Sequence, residues 1–187
     1  MNVVTRLALL LLLPLAAFAA ERPLKVDRSR SFVDVDVDAT KNFTAHLDHY
    51  DAKLTVDDAG KIKGAVFAFK FADLKSGNDK RDADMMKWLG GDAAEGRFEL
   101  GNLAVTPDGQ GQASGRLTFH GVTDRVEFPV NLARADGSYT ITGETTIDYR
   151  NWKLKVIRKA LLFTVNPEVK IRFKLTGAPV AAEPGKN

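Results

Sequence analysis

Apolar and polar residues alternate with a period of two along most of the chain. Val33, Val35 and Val37 interleave with Asp34, Asp36 and Asp38. That spacing puts the valines on one face of a strand and the carboxylates on the other. The same alternation runs through Ala113, Leu117 and Phe119, through Val126, Phe128, Val130 and Leu132, and through Val169, Ile171, Phe173 and Leu175. Pro129 sits on the polar face of its run and predicts a sheet edge or a bulge, because proline has no N–H to give to a ladder. The phase slips by one residue between Leu47 and Tyr50, and again around Gly101, as a β-bulge would make it do. From Ile62 to Phe71 both faces are apolar, with Phe67, Phe69 and Phe71 on one of them. Tyr139 and Ile141 continue in phase to Ile147, and Leu161 to Val165 is a further short run.

Turn chemistry separates these runs. Asp57-Asp58-Ala59-Gly60, Pro107-Asp108-Gly109, Gly121-Val122-Thr123-Asp124 and Ala135-Asp136-Gly137 all suit tight connections between antiparallel neighbours. Their spacing predicts a meander of about eight strands. One segment breaks the rhythm: Asn78 to Leu89 has a capping Asn, early acids that complement the helix dipole, and Gly90-Gly91 at its end. The expected fold is all-β, an extended eight-stranded antiparallel barrel or a sandwich, with this short helix as a lid carrying Met85, Met86 and Trp88. A barrel of eight strands is filled by its own side chains or holds one small ligand.

The first residues predict export. Arg6 precedes an almost unbroken Leu and Ala run from Leu7 to Phe18, and Ala17-Phe18-Ala19 provides the small residues of a cleavage site. Residues 1–19 therefore read as a secretory signal peptide and the mature protein as periplasmic. Residues 20–177 form one domain, followed by a loose tail over 178–187. The absence of cysteine excludes disulfides and thiolate chemistry. A net charge of +3 is too mild to argue for nucleic acid, and the oligomeric state is not legible.

Candidate chemistry is sparse. His46 and His49 lie three apart, on opposite faces of an uninterrupted strand, and His120 beside Gly121 reads as a turn residue. Asp34, Asp36 and Asp38 are spaced too regularly for the wrapped loop that calcium prefers. No nucleophile elbow or acid–base set is visible, so neither an enzyme nor a metal centre is expected. The informative set is apolar: Phe67, Phe69, Phe71, Met85, Met86, Trp88, Leu117, Phe119, Phe128, Trp152 and Phe173 are the expected ligand-binding residues. A packed core and a dry tunnel would use the same side chains. A solid barrel binding a membrane redox partner thus stays open beside a lipid carrier. Arg150, Lys153, Lys155, Arg158 and Lys159 surround Trp152 as a basic run, either a solvated loop or a contact for an anionic membrane surface.

Three segments together resemble the YceI-like family of periplasmic lipid- or polyisoprenoid-binding proteins. Gly77-Asn78-Asp79-Lys80-Arg81-Asp82, followed by Met85, is similar to the family's helix-opening motif. Gly115 to Thr123 (Gly-Arg-Leu-Thr-Phe-His-Gly-Val-Thr) resembles its G-x-L-T-x-H-G-V-T hairpin. Ile147 to Trp152 and Val169-Lys170-Ile171 resemble its last elements. Arg30 and Asp84 stand where the family often has histidine. The resemblance implies a lipocalin-like barrel that sequesters a long isoprenoid chain, such as a quinone tail, held non-covalently and without any cofactor or catalytic residue.

Overall fold

A computed structural model describes residues 21–91, 94–159 and 163–180. The expected signal peptide, Leu161 and Leu162, and the end of the tail lie outside these residues. The strands are β1 (Arg22–Val26), β2 (Phe32–Ala39), β3 (Phe43–Leu47), β4 (Tyr50–Val56), β5 (Ile62–Lys70), β6 (Leu74–Lys75), β7 (Glu95–Val105), β8 (Gln110–Phe119), β9 (Val122–Ala135), β10 (Ser138–Asp148), β11 (Arg158–Lys159) and β12 (Phe163–Pro179). The helix α1 (Asp79–Leu89) lies between β6 and β7.

Successive strands pair antiparallel, and the last closes on the first. β1 runs on into β2 through a 3-10 turn at Arg28–Arg30, and β3 into β4 at Asp48 and His49. β1 pairs with β4 and β2 with β3, so each couple acts as one bent strand. The ladder then proceeds through β5, β7, β8, β9 and β10 to β12, whose length lets it close on both β2 and β1. The result is a closed eight-stranded antiparallel barrel with one helix.

Local chemistry explains the irregular points. Gly101 falls at the register shift between Leu100 and Asn102. Pro129 stands where β9 parts from β10, whose ladder runs from Ser138↔Ala135 to Gly143↔Val130 and stops there. Trp152 packs among Val122, Val126 and Ile147 beside this parting, and its indole N–H donates to the Leu117 carbonyl at 3.0 Å. Phe71 belongs to a 3-10 turn (Phe71–Asp73) rather than to β5, which ends at Lys70. Ala178 and Pro179, expected in a loose tail, instead continue β12 and pair with Lys25 and Leu24, as Gly177 does with Val26.

Outside the barrel, the aspartates of β2 meet cations across the ladder. Arg172 reaches Asp36 at 2.6 Å and Asp34 at 3.5 Å, and His46 Nδ1 lies 2.7 Å from Asp34. These are the solvated partners that alternation predicted. His49 faces Asp73 at 3.5 Å, away from His46's partner. Among the described residues no group of three or more His, Asp or Glu could hold a metal ion.

The connections segregate by end. Residues 57–61, 106–109 and 136–137 form the tight turns of one end. The β2–β3 connection, the α1 insertion, the His120-Gly121 turn and the segment from Tyr149 to Ile157 gather at the other.

Candidate ligand cavity

The barrel is hollow. A cavity of about 980 Å³ runs inside it, bounded by inward side chains of β2 to β5, β7 to β10 and β12, with α1 over one end. At roughly 30 Å³ for each water-sized group this is room for about thirty carbons, well beyond one short acyl chain. Inside the wall the lining is almost wholly apolar. Apart from Arg158 of β11, Thr145 is the one polar strand residue among the lining side chains.

A barrel lined with phenylalanine would ordinarily fill itself. Three glycines prevent this. A Cβ at Gly96 would stand 2.3 Å from the Phe69 ring, at Gly115 2.5 Å from the Phe98 ring, and at Gly143 2.7 Å from the Phe173 ring. Each ring thus lies over a bare stretch of the neighbouring strand instead of projecting to the axis. The rings also touch one another: Phe67 to Phe69 at 5.9 Å, Phe69 to Phe71 at 5.0 Å, Phe71 to Phe119 at 5.6 Å and Phe128 to Phe173 at 5.7 Å. Such tilted and edge-on pairs are favourable in themselves, so the lumen is walled by two aromatic strips, Phe67 to Phe119 and Phe98-Phe128-Phe173.

The far end is closed by Leu24, Leu54 and Val56, with Ile62, Ala65 and Tyr139 packed against them. The other end is covered by α1. Asn78 caps the helix by accepting from the Arg81 N–H at 3.0 Å, and Gly90 ends it with φ 96°. Arg81 fastens the first turn: its guanidinium donates to Ser76 Oγ and Ser76 O, at 2.8 and 2.7 Å, and stacks 3.8 Å from the Phe43 ring centroid. At the other end Trp88 donates to the Lys155 carbonyl at 2.8 Å and meets Tyr149 edge-on at 5.0 Å. Gly77, Gly90 and Gly91 flank the helix with positive φ and open space around them. They are there for conformation, not for packing. The rim also carries Lys41, Lys80, Asp82, Asp84 and Arg158.

Of the eleven side chains expected to meet a ligand, nine line this cavity: Phe67, Phe69, Phe71, Met85, Trp88, Leu117, Phe119, Phe128 and Phe173. Two do not. Trp152 is 1% exposed, stacked on Phe119 at 4.6 Å and 16°, with the His120 ring 2.9 Å from its carbonyl. It is a wedge in the wall, because the turn that carries it folds back beside β9. Met86 does not reach the lumen: it is buried in the cluster of Leu89, Leu117 and Phe119 and, with Met85, borders a separate depression of about 280 Å³ beside β6. Adjacent helical positions are about 100° apart, so only Met85 of the two borders the cavity while Met86 packs under the helix. Sequence reasoning missed Phe98, although it shares its phase with Leu100, and it missed the glycines opposite the rings.

A search of curated protein sequences finds no match. Solved structures do match. BcnA of Burkholderia cenocepacia superposes with a TM-score of 0.68 at 18% identity, over 81% of this chain and 99% of that one. A polyisoprenoid binding domain from Saccharophagus degradans, implicated in plant cell wall breakdown, gives 0.67 at 18% identity, over 87% and 100%. The YceI protein of Campylobacter jejuni gives 0.62 at 15% identity, over 76% and 87%. At these identities the likeness establishes the fold. The family model of the YceI-like domain matches residues 24–177, all but the outermost parts of the barrel, and the chain belongs to the YceI-like family.

Proposed function

We propose that this protein binds and transports a long-chain isoprenoid or similar apolar lipid, a quinone tail for example, inside its barrel, after export to the periplasm. One observation carries the reading: an apolar cavity of about 980 Å³, closed at its far end and covered at the other by a helix between glycines. The neighbour described as a polyisoprenoid binding domain supports the ligand class. The sequence of the first nineteen residues supports export, with Ala20 as the mature N-terminus. On this reading the partners are the lipid and, transiently, the anionic membrane surface that supplies it.

Burial of a methylene contributes about 0.8 kcal/mol. Ten to fifteen buried carbons give roughly 8–12 kcal/mol before association costs, enough for micromolar binding or better. Affinity alone therefore does not distinguish a fatty acid from a polyprenyl tail, whereas chain length does.

A hollow lumen speaks for a carrier over a solid interaction module. The family and its polyisoprenoid-binding neighbour favour binding over catalysis. Native mass spectrometry of the purified protein tests the proposal. An adduct with the mass of a long apolar lipid, removed by organic extraction and restored by adding the lipid back, is the expected result. A barrel that carries no adduct and takes up no lipid of any chain length would overturn it.

A further inference from the structure

The barrel wall divides in its deep half. The ladder between β5 and β7 runs only from Val66↔Glu99 to Lys70↔Glu95. Beyond it residues 62–65 stay with β4 and residues 100–105 with β8. Each strand carries an extra residue where the two part. Lys63 falls between the pairs Thr55↔Gly64 and Val56↔Ile62, and Gly101 between Leu100↔Gly115 and Asn102↔Ser114. Such bulges bend the strand that holds them.

The hairpin tips show why the strands separate. A Cβ on Gly60, in the β4–β5 turn, would stand 2.6 Å from the Tyr139 hydroxyl and 3.4 Å from the Arg134 guanidinium, which itself lies 5.2 Å from the Tyr139 ring centroid. The β4–β5 tip therefore leans across the end of the barrel to the β9–β10 hairpin and brings Leu54, Val56 and Ile62 over the axis. The β7–β8 tip rests on β9 instead, where the Leu132 N–H donates to the Gly109 carbonyl at 2.8 Å. Closing the axial end thus draws β5 away from β7.

The lining residues follow the parting outward. Among the described residues β5 is the one barrel strand with both of its faces on the cavity. Ala65 and Phe67 point inward, whereas Val66 has the opposite phase and pairs with Lys53 and Glu99 of the charged outer face. A side chain of that phase borders the cavity only where the cavity passes through the wall. Ile62, Leu100 and Leu103 complete this apolar border. Val105, the next position of Leu103's phase on β7, is 36% exposed, with Phe32 and Val180 one of the exposed large apolar side chains among the described residues. The parting between β9 and β10 differs, because Trp152 fills it.

We infer that the lumen continues sideways between β5 and β7, and that the tail of an apolar chain longer than the lumen leaves through this opening, past Leu103 and Val105. The inference rests on the carrier reading and adds an orientation and a length rule to it. The charged lining residues stand at the α1 end and on β11, and none borders the side opening. A polar head therefore stays under the helix while the tail points between the strands. A blind lumen with room for about thirty carbons would leave the excess of a longer chain at the mouth; a side exit accepts such chains without that penalty.

The chain has no cysteine, so single ones can be introduced and labelled. Val105→Cys, and Lys170→Cys on the fully paired wall of β12 as control, are given an environment-sensitive fluorophore. Each is loaded with geranylgeraniol, shorter than the capacity of the lumen, or with undecaprenol, longer than it, and native mass spectrometry verifies occupancy. Undecaprenol should shift the emission of the label at position 105 to the blue, geranylgeraniol should leave it unmoved, and the label at position 170 should answer to neither. In the unlabelled protein Val66→Glu sets a carboxylate at the opening. It should weaken undecaprenol about tenfold or more and leave geranylgeraniol unaltered, with circular dichroism verifying the fold. Bound undecaprenol that leaves the label at position 105 unmoved, or a loss on Val66→Glu equal for both alcohols, would overturn the inference and leave the carrier reading intact. Binding of neither alcohol to the unaltered protein would overturn the carrier reading and the inference with it.

Discussion

Ala65→Leu asks whether the deep end of the lumen is open space. Ala65 lies on β5 opposite Leu54, lines the cavity and packs with the cluster that closes the far end. Leucine adds three carbons, about 90 Å³ at roughly 30 Å³ for each such group, which is near a tenth of the 980 Å³ available. A ligand chain too short to reach this level should bind as before. A chain that fills the lumen gives up the burial of about three methylenes, near 2.4 kcal/mol at about 0.8 each, or roughly sixtyfold in Kd. Stability of the lipid-free protein should move the other way. In a filled core three extra carbons cost about 1–3 kcal/mol. In open apolar space the leucine finds a place and raises stability by up to about 2 kcal/mol. The assay is a chain-length series of isoprenoid alcohols competing with a fluorescent fatty acid, together with denaturant unfolding of the delipidated protein. Destabilisation beyond about 1 kcal/mol with unaltered binding would show a packed site, and an equal loss for short and long chains would remove the length argument.

Two other substitutions probe the lid and the outer wall. Trp88→Phe removes the hydrogen bond to the Lys155 carbonyl while keeping the ring against Tyr149; lipid uptake and release should both quicken severalfold in stopped-flow fluorescence, with Kd little altered, and unchanged rates would mean that α1 does not gate the mouth. At Asp36, hydrogen bonds from Arg172 first, then from the Thr44 hydroxyl, hold the carboxyl below its ordinary range. A depressed carboxyl contributes stability that is complete above its unfolded pKa of about 4 and is lost as pH falls through the folded value. Arg172→Gln should therefore cost up to about 1 kcal/mol at neutral pH, as expected for a partly exposed pair, with the difference from the parent shrinking below about pH 4; a pH-independent gap in thermal unfolding would refute this assignment.

Strand positions, the helix and its caps, and the bulge at Gly101 are legible in the sequence because each depends on residues within a few positions of one another, whereas the phase slip at Asp48 and His49 marks a break between β3 and β4 and not a bulge. The Asn78 cap, the Gly90 stop and the Asp34–Asp36 face need no tertiary information. Trp152 and Met86 mark where that stops. A tryptophan beside a basic run reads equally as a ligand contact or as a wedge, and only the return of its turn onto β8 and β9 decides between them. For Met85 and Met86, helical geometry sets the two side chains about 100° apart, but which one borders the lumen depends on how α1 sits over the barrel.

Hollow against packed was the distinction that local pattern could not make, and the reason lies in three pairs of residues. Phe69 and Gly96, Phe98 and Gly115, and Phe173 and Gly143 are each separated by seventeen or more positions and meet only through strand register. Taken alone, glycine inside a strand reads as weakness, since it packs nothing and costs backbone entropy. Taken alone, an inward phenylalanine reads as core. Combined across neighbouring strands they have the opposite meaning: the glycine gives the ring a place along the wall, the aromatic area is buried against backbone, and the axis stays free. The stability that a packed core would draw from its centre is drawn here from the wall and from the ladder that closes it. A chain designed to be filled would have no use for a bare strand opposite each of these rings.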